Sequence, residues 1–426
     1  MRIVIRGGIV VDPMNQLEVA RDLLIEHGTI QAIGKPESFQ DVSGTTLDAS
    51  HLVVAPGLID MHVHLREPGY EYKETVLTGT QSAVAGGFTS VACMANTNPV
   101  NDNGAVTRYI IERAQIANLA RVLPIGALSK KLEGKELAEI DEMVEAGAVA
   151  ISDDGRPVMD ANLMRRALEY CSMVNVPISV HEEDLHLAAG GVMNEGPRAL
   201  SLGLRGIPNA AEEVMAARDI ALARLTKGRV HIAHVSTRGT VALLRHAKEE
   251  GLPVTAEAAP HHFTLTEEAV TGYNTNAKMA PPLRLPEDVQ AIKEGLCDGT
   301  IDAIATDHAP HHHDEKEVEF DQAANGIVGL ETALPLTLKL VESRVLSLSE
   351  AIRKLTVNPA RILGLPYGTL SPGSPADIVI FDPGRSWRVE ASKLRSKSKN
   401  TPFDGWDLKG RIMLTLVGGR VVYDGR

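Results

Sequence analysis

The stretch Asp-Met-His-Val-His-Leu-Arg-Glu-Pro at residues 60–68 follows an apolar run at residues 52–59. If that run is a β-strand, alternate residues share a face, so His62 and His64 point the same way, about 7 Å apart along the strand. Two imidazoles on one face of a rigid element can bind one metal ion, and imidazole suits Zn²⁺. Arg66 has the same parity and carries a planar, permanently charged group that can bind a carboxylate. The alternative for a bare His-x-His is a pair of surface histidines, and the rest of the chain decides between the two.

Strands and helices alternate along the chain from this stretch onward. The predicted strand–helix pairs are 58–64 with 73–85, 89–94 with 105–118, 122–127 with 135–145, 148–153 with 161–173, 177–181 with 210–225, 230–235 with 240–249, 253–257 with 286–297, and 303–307 with 330–341. Repeated strand–helix units need a parallel sheet, and eight of them are typical of a closed (β/α)8 TIM-type barrel. An open doubly wound sheet is the alternative, but no glycine-rich phosphate loop follows the first strand to favour it.

The two ends of the chain have a different pattern, with short strands separated by turns. The predicted strands are 2–5, 9–11, 22–26 and 29–33 at one end, and 376–381, 413–417 and 420–423 at the other. We therefore predict an α/β protein with a small β-sandwich domain built from both termini, residues 1–54 plus 366–426, and a barrel domain at residues 55–365. Two unrelated tails are the alternative.

Composition narrows the class of protein. The chain has 426 residues, a formal net charge of −12, and three cysteines that are far apart and odd in number. This cysteine usage does not suggest a disulfide framework and fits a reducing compartment. The sequence has no signal-peptide pattern, no apolar run long enough to span a bilayer and no basic patch with interleaved aromatic residues. We expect a cytoplasmic protein that binds neither membrane nor nucleic acid.

The barrel interpretation requires functional groups at the carboxyl ends of the strands. Metal-ligand residues do lie at or near the carboxyl ends of five of the predicted strands: His62, His64, Asp154, His181, His234 and Asp307.

Strand alternation indicates which neighbours point into the barrel mouth. Asp154 faces the mouth, because Asp153 shares a face with bulky apolar residues, and Asp307 faces inward while His308 faces outward. Parity separates His231 from His234 without choosing between them, and proximity to the strand end favours His234.

The ligand set predicts a hydrolytic metal centre. Six ligands exceed one tetrahedral zinc and suit two ions that share a bridging carboxylate, with Asp154 as the bridge, and a hydroxide. Asp307 can transfer a proton to a leaving nitrogen, which is the chemistry of amide hydrolysis. Arg66 beside the metal predicts a substrate carboxylate. Asn96 can add a hydrogen bond or simply form a turn before Pro99, and His311 is expected to face the substrate while the next two histidines are solvated.

At this point the sequence resembles a known family, the longer (class I) bacterial dihydroorotases of the amidohydrolase superfamily. Residues 60–69 look like the first signature of that family, and residues 305–311 with Lys316 look like the second. Residues 152–155, 181–184, 191–196 and 233–237 are also similar to it. The resemblance covers essentially the whole chain.

The resemblance implies reversible zinc-dependent cyclisation of N-carbamoyl-L-aspartate to (S)-dihydroorotate in pyrimidine biosynthesis. It places zinc on the six ligands above, makes Asp307 the acid/base, and gives substrate contacts to His64, Arg66, Asn96, Ala280, His311, Asn325 and Gly326. Many members have asparagine in place of Ala280, so the contact expected there is main-chain only. Many have Pro-Phe where this chain has Ala324-Asn325. We expect a homodimer, and some members of the family imply an association with aspartate carbamoyltransferase.

Two other functions remain in competition. Hydantoinases and allantoinases are related ring-opening enzymes that use a carboxylated lysine as metal bridge at strand four, where this chain has Asp-Asp-Gly at residues 153–155. Lys130 and Lys131 follow strand three and look like loop residues. A non-catalytic dihydroorotase-like scaffold for aspartate carbamoyltransferase is the other alternative, and the complete ligand set argues against it.

Overall fold

A computed structural model describes residues 2–426. Its strands are β1 (Arg2–Asp12), β2 (Leu17–Glu26), β3 (Thr29–Gly34), β4 (Thr45–Asp48), β5 (Val53–Pro56), β6 (Leu58–Val63), β7 (Phe88–Cys93), β8 (Arg121–Gly126), β9 (Ala150–Ile151), β10 (Ile178–Val180), β11 (Met193–Asn194), β12 (Gly206–Ile207), β13 (Val230–Ile232), β14 (Val254–Ala258), β15 (Ala303–Ile304), β16 (Ile378–Arg388), β17 (Asp407–Val417) and β18 (Arg420–Asp424).

Most helices lie between the central strands in the chain, and the last four follow the final barrel strand. They are α1 (Val76–Ala85), α2 (Gly104–Ala117), α3 (Ile140–Glu145), α4 (Ala161–Met173), α5 (Pro197–Leu202), α6 (Ala210–Thr226), α7 (Arg238–Glu249), α8 (Pro260–Thr264), α9 (Pro286–Asp298), α10 (His313–Lys316), α11 (Ala333–Glu342), α12 (Leu348–Leu355) and α13 (Val357–Leu363). None of the helices described for residues 2–426 has the length and apolar character needed to span a membrane.

The central strands form the predicted barrel. Within residues 2–426, eight strands lie side by side in the order β6, β7, β8, β9, β10, β13, β14, β15, and the paired neighbours are parallel. The ring closes where Val63 forms a parallel bridge with His308, and the His64 N–H donates to the His308 carbonyl at 2.8 Å. This closure confirms the TIM-type fold and brings the first and last strand ends together at the mouth.

Three predicted helices start later than the sequence pattern suggested, and one of them, α11, begins at Ala333 instead of residue 330. Helix α1 begins at Val76 instead of residue 73, because Thr75 caps it and the Glu67 carboxylate accepts from the Val76 N–H at 2.8 Å. Helix α3 begins at Ile140 instead of residue 135, because residues 128–138 double back on themselves through hydrogen bonds such as Ala138 N–H to Leu128 O at 2.9 Å. The bounds predicted for α4 are those observed.

The strands from the two chain ends form one sheet. Its order is β18-β17-β16-β5-β1-β2-β3, with β4 also paired to β1. Strand β1 has an irregularity between Ile5 and Gly8, before which it pairs with β4 and after which it pairs with β5. Strand β5 therefore joins the N-terminal strands on one side to the C-terminal β16 on the other.

The side chains of β16 alternate between two cores. Ile378 and Ile380 pack with residues of the terminal sheet itself. Val379 and Phe381 are fully buried in the cluster that also contains the barrel core. Since successive strand residues point to opposite faces, the sheet is apolar on both sides at this strand and packs directly against the barrel.

Candidate metal centre and active site

The six predicted metal ligands meet at the carboxyl end of the barrel. His62 lies near the end of β6 and His64 directly follows it, while the other ligands follow β9, β10, β13 and β15 within one to three residues. Every one of them is buried, including Asp154, His181, His234 and Asp307. The structure thus brings together side chains that are up to 245 residues apart in the chain, as calculated from His62 and Asp307.

Asp154 lies at the centre of this group. Its Oδ1 is 3.4 Å from His62 Nε2, 3.5 Å from His181 Nδ1 and 3.5 Å from His234 Nε2. Its Oδ2 is 3.5 Å from His64 Nε2. The two oxygens of one carboxylate therefore face different ligands, which is the arrangement a bridging carboxylate requires.

Asp307 completes the other side of the cluster. Its Oδ1 lies 3.0 Å from His64 Nε2 and 3.5 Å from His62 Nε2. The ligand atoms of His62, His64 and Asp307 form one compact group, and those of His62, Asp154 and His234 form a second.

The residues present fit a metal such as zinc. Four ligands placed about 2.1 Å from a tetrahedral ion lie roughly 3.4 Å from each other, and the separations around Asp154 are close to this value. Within residues 2–426, His62 Nε2 and Asp154 Oδ1 belong to the buried polar atoms that lack a hydrogen-bond partner. A buried acceptor without a partner is costly, and a cation between these two atoms would satisfy both.

Three predicted site residues have left-handed backbone conformations. The φ angles are +61° at Arg66, +33° at His234 and +46° at Asp307. Residues other than glycine adopt positive φ at a cost, and such residues concentrate at functional sites. Two of the six predicted ligands and the predicted carboxylate-binding arginine are therefore among the strained positions of the chain.

Glu257 orients His62 from behind the cluster. Its Oε1 accepts from His62 Nδ1 at 2.8 Å and its Oε2 accepts from His231 Nε2 at 3.1 Å. Burial alone would raise the pKa of Glu257, but the hydrogen bonds from His231 and His62 outweigh burial and bring its pKa to about 2. Sequence reasoning missed this role, although a carboxylate near the end of an otherwise apolar barrel strand was an available signal.

His64 is held in the same way by Asn96. The His64 Nδ1–H donates to Asn96 Oδ1 at 2.9 Å, which leaves Nε2 facing Asp307 and Asp154. Asn96 also lines the cavity above the cluster, so it does more than form the turn before Pro99.

The cavity over the cluster has a volume of about 310 Å³. It is lined by His64, Arg66, Asn96, Asp154, Gly155, His181, Glu183, His234, Met279, Ala280, Asp307, Ala309, His311 and Asn325. Glu183 and Met279 were not predicted; the Glu183 Oε2 lies 3.6 Å from His181 Nε2.

One wall of the cavity is positively charged. The Arg66 guanidinium donates through Nε to the Pro310 carbonyl at 3.2 Å, and its Nη2 lies 3.2 Å from His311 Nε2. Burial, together with the charges of Arg66 and Lys73, lowers the pKa of His311 to about 3, so this imidazole is neutral near pH 7. Among the described residues, no carboxylate lies within ion-pair distance of the buried Arg66, which leaves its charge available to a ligand.

The remaining predicted substrate contacts lie at the same rim. Ala280 and Asn325 line the cavity. Gly326 does not, but it packs against His311: with φ +156°, a Cβ there would lie 2.7 Å from His311 Cδ2 and 2.5 Å from the Ala309 carbonyl. The Gly326 N–H already donates to the Lys278 carbonyl at 3.0 Å.

The neighbouring residues point as alternation predicted. Asp153 turns away from the mouth and accepts from the Leu128 N–H at 2.8 Å. His308 also turns away, with Nε2 3.4 Å from the Glu74 carboxylate. His231, which alternation alone did not place, binds Thr255 and Glu257.

Comparison with known proteins adds the family. The model of the amidohydrolase family matches residues 53–422. The chain is 56% identical to a dihydroorotase of Syntrophus aciditrophicus over 99% of both chains, and 57% identical to a dihydroorotase of Geotalea daltonii over 99% of both.

Solved structures give a consistent fold. The L-hydantoinase (dihydropyrimidinase) of Arthrobacter aurescens superimposes with a TM-score of 0.89 at 27% identity, covering 99% of this chain and 96% of that one. A dihydropyrimidinase of Brevibacillus agri, at 22% identity and a TM-score of 0.84, covers 100% of this chain and 95% of its own and supports the fold alone.

Proposed function

This chain belongs to the amidohydrolase family, and we propose that it is a dihydroorotase of the longer, class I type, which interconverts N-carbamoyl-L-aspartate and (S)-dihydroorotate in pyrimidine biosynthesis. The observation that carries the proposal is the buried, unpaired Arg66 guanidinium in a small cavity directly over a centre of four histidines and two aspartates. Such a site suits a small cyclic amide that bears a carboxylate. The full-length identity to dihydroorotases supports the same substrate.

Two zinc ions are the proposed cofactor. His62, His64 and Asp307 would hold one ion, His181 and His234 the other, with Asp154 between them. When bound, zinc supplies an activated water near neutral pH and polarises a carbonyl group placed beside it.

Asp307 moves the proton. Burial alone would raise its pKa, but the adjacent imidazoles of His62 and His64 lower the pKa well below its usual range, so the carboxylate is ionised. In ring opening it accepts the proton of the attacking water and delivers it to the ring nitrogen that leaves. In ring closure the same carboxylate removes a proton from the carbamoyl nitrogen, as microscopic reversibility requires.

The cavity wall orients the substrate. Arg66 binds the substrate carboxylate with two parallel N–H donors, and His311 and Asn96 add hydrogen bonds on either side. Main-chain groups at Ala280 and Asn325 contact the amide part of the ring. This arrangement holds the scissile amide over the metal ligands.

A second candidate function is that of another cyclic amidase, because the solved structures similar to this chain include hydantoinases. The rings of hydantoin and allantoin lack the carboxylate that Arg66 would pair with. In the described residues the cavity lining contains no lysine that could be carboxylated as a metal bridge. A non-catalytic scaffold for aspartate carbamoyltransferase is disfavoured by the complete ligand set.

We propose a cytoplasmic homodimer that associates with aspartate carbamoyltransferase in the organisms where the two enzymes form a complex. Gel filtration of the chain, alone and mixed with that enzyme from the same organism, tests both statements.

The deciding experiment uses the purified, zinc-loaded chain with dihydroorotate, hydantoin and allantoin as separate substrates, and counts metal in the same sample. Turnover of dihydroorotate alone, with up to two zinc ions per chain, is the expected result. Turnover of hydantoin or allantoin instead would establish the second candidate. Bound metal without turnover of any substrate would point to the scaffold, and addition of the carbamoyltransferase would then separate an inactive protein from one that needs a partner.

A further inference from the structure

A segment of the C-terminal part, residues 394–401, lies across the barrel mouth; we call it the C-terminal strap. It precedes β17 of the terminal sheet, yet its polar groups bind loops that follow β6 and β15. Lys397 Nζ donates to the Glu71 carbonyl at 2.6 Å, and Ser398 Oγ donates to the Lys73 carbonyl at 2.7 Å. Ser396 Oγ donates to the buried Glu74 carboxylate at 2.5 Å. The strap thus fixes the loop that follows Arg66.

Asn400 is the strap residue nearest the cavity, and its side chain is fully engaged. Its Oδ1 accepts from the His311 N–H at 3.0 Å. Its Nδ2 donates to the Ala309 carbonyl at 2.9 Å and to the Gly326 carbonyl at 3.0 Å. The residue is 4% exposed, and these bonds use both of its amide hydrogens and its amide oxygen.

These three bonds surround His311. We call residues 305–332, which follow β15, the rim loop. Ala309 and His311 lie in its first part, and Gly326, later in the same loop, packs against the His311 ring from the other side. Asn400 joins the two sides, so the distance between His311 and Arg66, 3.2 Å from Nε2 to Nη2, depends on an amide supplied by the far end of the chain. A misplacement of about 1 Å at such a group can change turnover by roughly a hundredfold.

We propose that Asn400 is a positioning residue for the dihydroorotase reaction: it holds His311, and with it the substrate-carboxylate end of the cavity, in register with Arg66. This inference rests on the proposed function. Asn400 itself does not touch the cavity; it acts through His311 and Gly326. The C-terminal strap is in this view part of the active site, although it lies about 90 residues beyond the last barrel strand by chain position.

The test compares Asn400→Ala with Asn400→Asp and with Ser392→Ala. The aspartate keeps an oxygen for the His311 N–H but loses both donors and faces two carbonyls. Ser392 is exposed, lies just before the strap and makes no hydrogen bond through its side chain in the described structure, so its variant is the matched control. The measurements are kcat and KM for dihydroorotate, bound zinc, and the inhibition constants of orotate and uracil, which share a ring and differ in the carboxylate.

We expect Asn400→Ala to lower kcat/KM about 10- to 100-fold, mainly by raising KM. It should raise the inhibition constant of orotate about tenfold and leave the inhibition constant of uracil and the zinc content unchanged. Asn400→Asp should lower kcat/KM at least as much, and the kcat/KM of Ser392→Ala should match that of the wild type. Equal weakening of orotate and uracil, or an Asn400→Ala variant within twofold of wild type, would overturn the inference. If Asn400→Ala does not fold, the orotate-to-uracil ratio of Asn400→Asp decides. A wild-type chain that does not turn over dihydroorotate would refute the proposed function instead.

Discussion

Asp154 and Asp307 are two buried carboxylates that share one cavity with four buried imidazoles. Removing such a charge from water costs several kcal/mol unless it is paired. Burial alone would raise the pKa of both groups, but the adjacent His62 imidazole lowers it in each case, so both carboxylates remain ionised. A metal ion bound among these carboxylates and imidazoles would offset the cost of burying the two negative charges.

Replacing Asp307 tests the proton transfer. We expect Asp307→Ala to lower kcat for dihydroorotate at least 10²- to 10⁴-fold, the usual contribution of a general acid/base, because Asp307 is the carboxylate proposed to transfer the proton. Circular dichroism should show an intact barrel. Asp302→Asn is the matched control: it precedes β15 at the opposite end of the same strand, where Asp302 pairs with Lys248, and should leave kcat nearly unchanged. An Asp307→Ala enzyme with most of its activity would remove Asp307 from the mechanism.

Replacing Glu257 tests how His62 is held. Glu257→Ala removes the acceptor that fixes the His62 ring, and loss of such a partner typically lowers metal affinity about 10- to 100-fold. Zinc affinity is measured by competition with a chelator. Thr255→Val is the control on the same strand, since Thr255 contacts His231 but not His62, and should change zinc affinity little. Equal effects of the two substitutions would mean that Glu257 acts on the fold of the strand and not on the metal ligand.

At the scale of elements, alternation was the most reliable guide. It predicted that Asp154 and Asp307 face the mouth while Asp153 and His308 do not, because buried apolar neighbours fix the parity of each strand. It could not reveal the C-terminal strap, since that segment has no periodic pattern and binds through contacts far away in sequence. It also missed the late start of α1, which depends on a carboxylate of the preceding loop, Glu67, accepting from the first turn.

The rim loop after β15 contains a lysine whose ionisation affects stability. Lys316 is buried, and its Nζ donates to the carbonyls of Ala324 at 2.7 Å and Gly326 at 3.2 Å. Burial lowers the pKa of Lys316 to about 7, from a model-peptide value of 10.5. Between these two pH values the unfolded chain keeps a proton that the folded chain has released, so the folded state gains stability as pH rises.

We therefore expect the melting temperature of the wild type, relative to that of Lys316→Met, to increase from pH 7 to pH 10. Lys135→Met serves as the control, because the Lys135 side chain is 79% exposed and the same charge is lost there. The difference in melting temperature between the wild type and Lys135→Met should stay constant from pH 7 to pH 10. If the difference in melting temperature between the wild type and Lys316→Met is also constant with pH, Lys316 keeps an ordinary pKa in the folded protein.

At the scale of the whole molecule, the terminal sheet and the barrel share one core. Val379 and Phe381 of β16, together with Ile412 of β17, belong to the same buried cluster as the barrel strands and helices. The sequence predicted two domains, residues 1–54 plus 366–426 and residues 55–365, from the change in pattern. Pattern reports local structure and says little about how much apolar surface two units bury against each other, so the division remains a prediction about folding units.

Equilibrium unfolding can separate one folding unit from two, because the two tryptophans, Trp387 and Trp406, both lie in the C-terminal part of the chain. Tryptophan fluorescence then reports that part, and far-ultraviolet circular dichroism reports mainly the barrel helices. Because the core is continuous, we expect the two signals to change at the same urea concentration. Phe381→Ala removes a fully buried ring from the shared core and should lower the free energy of unfolding by about 3–5 kcal/mol. Both curves should therefore move together to lower urea concentration. Fluorescence that changes at lower urea than circular dichroism, with Phe381→Ala moving the fluorescence curve alone, would instead make the terminal sheet an independent domain.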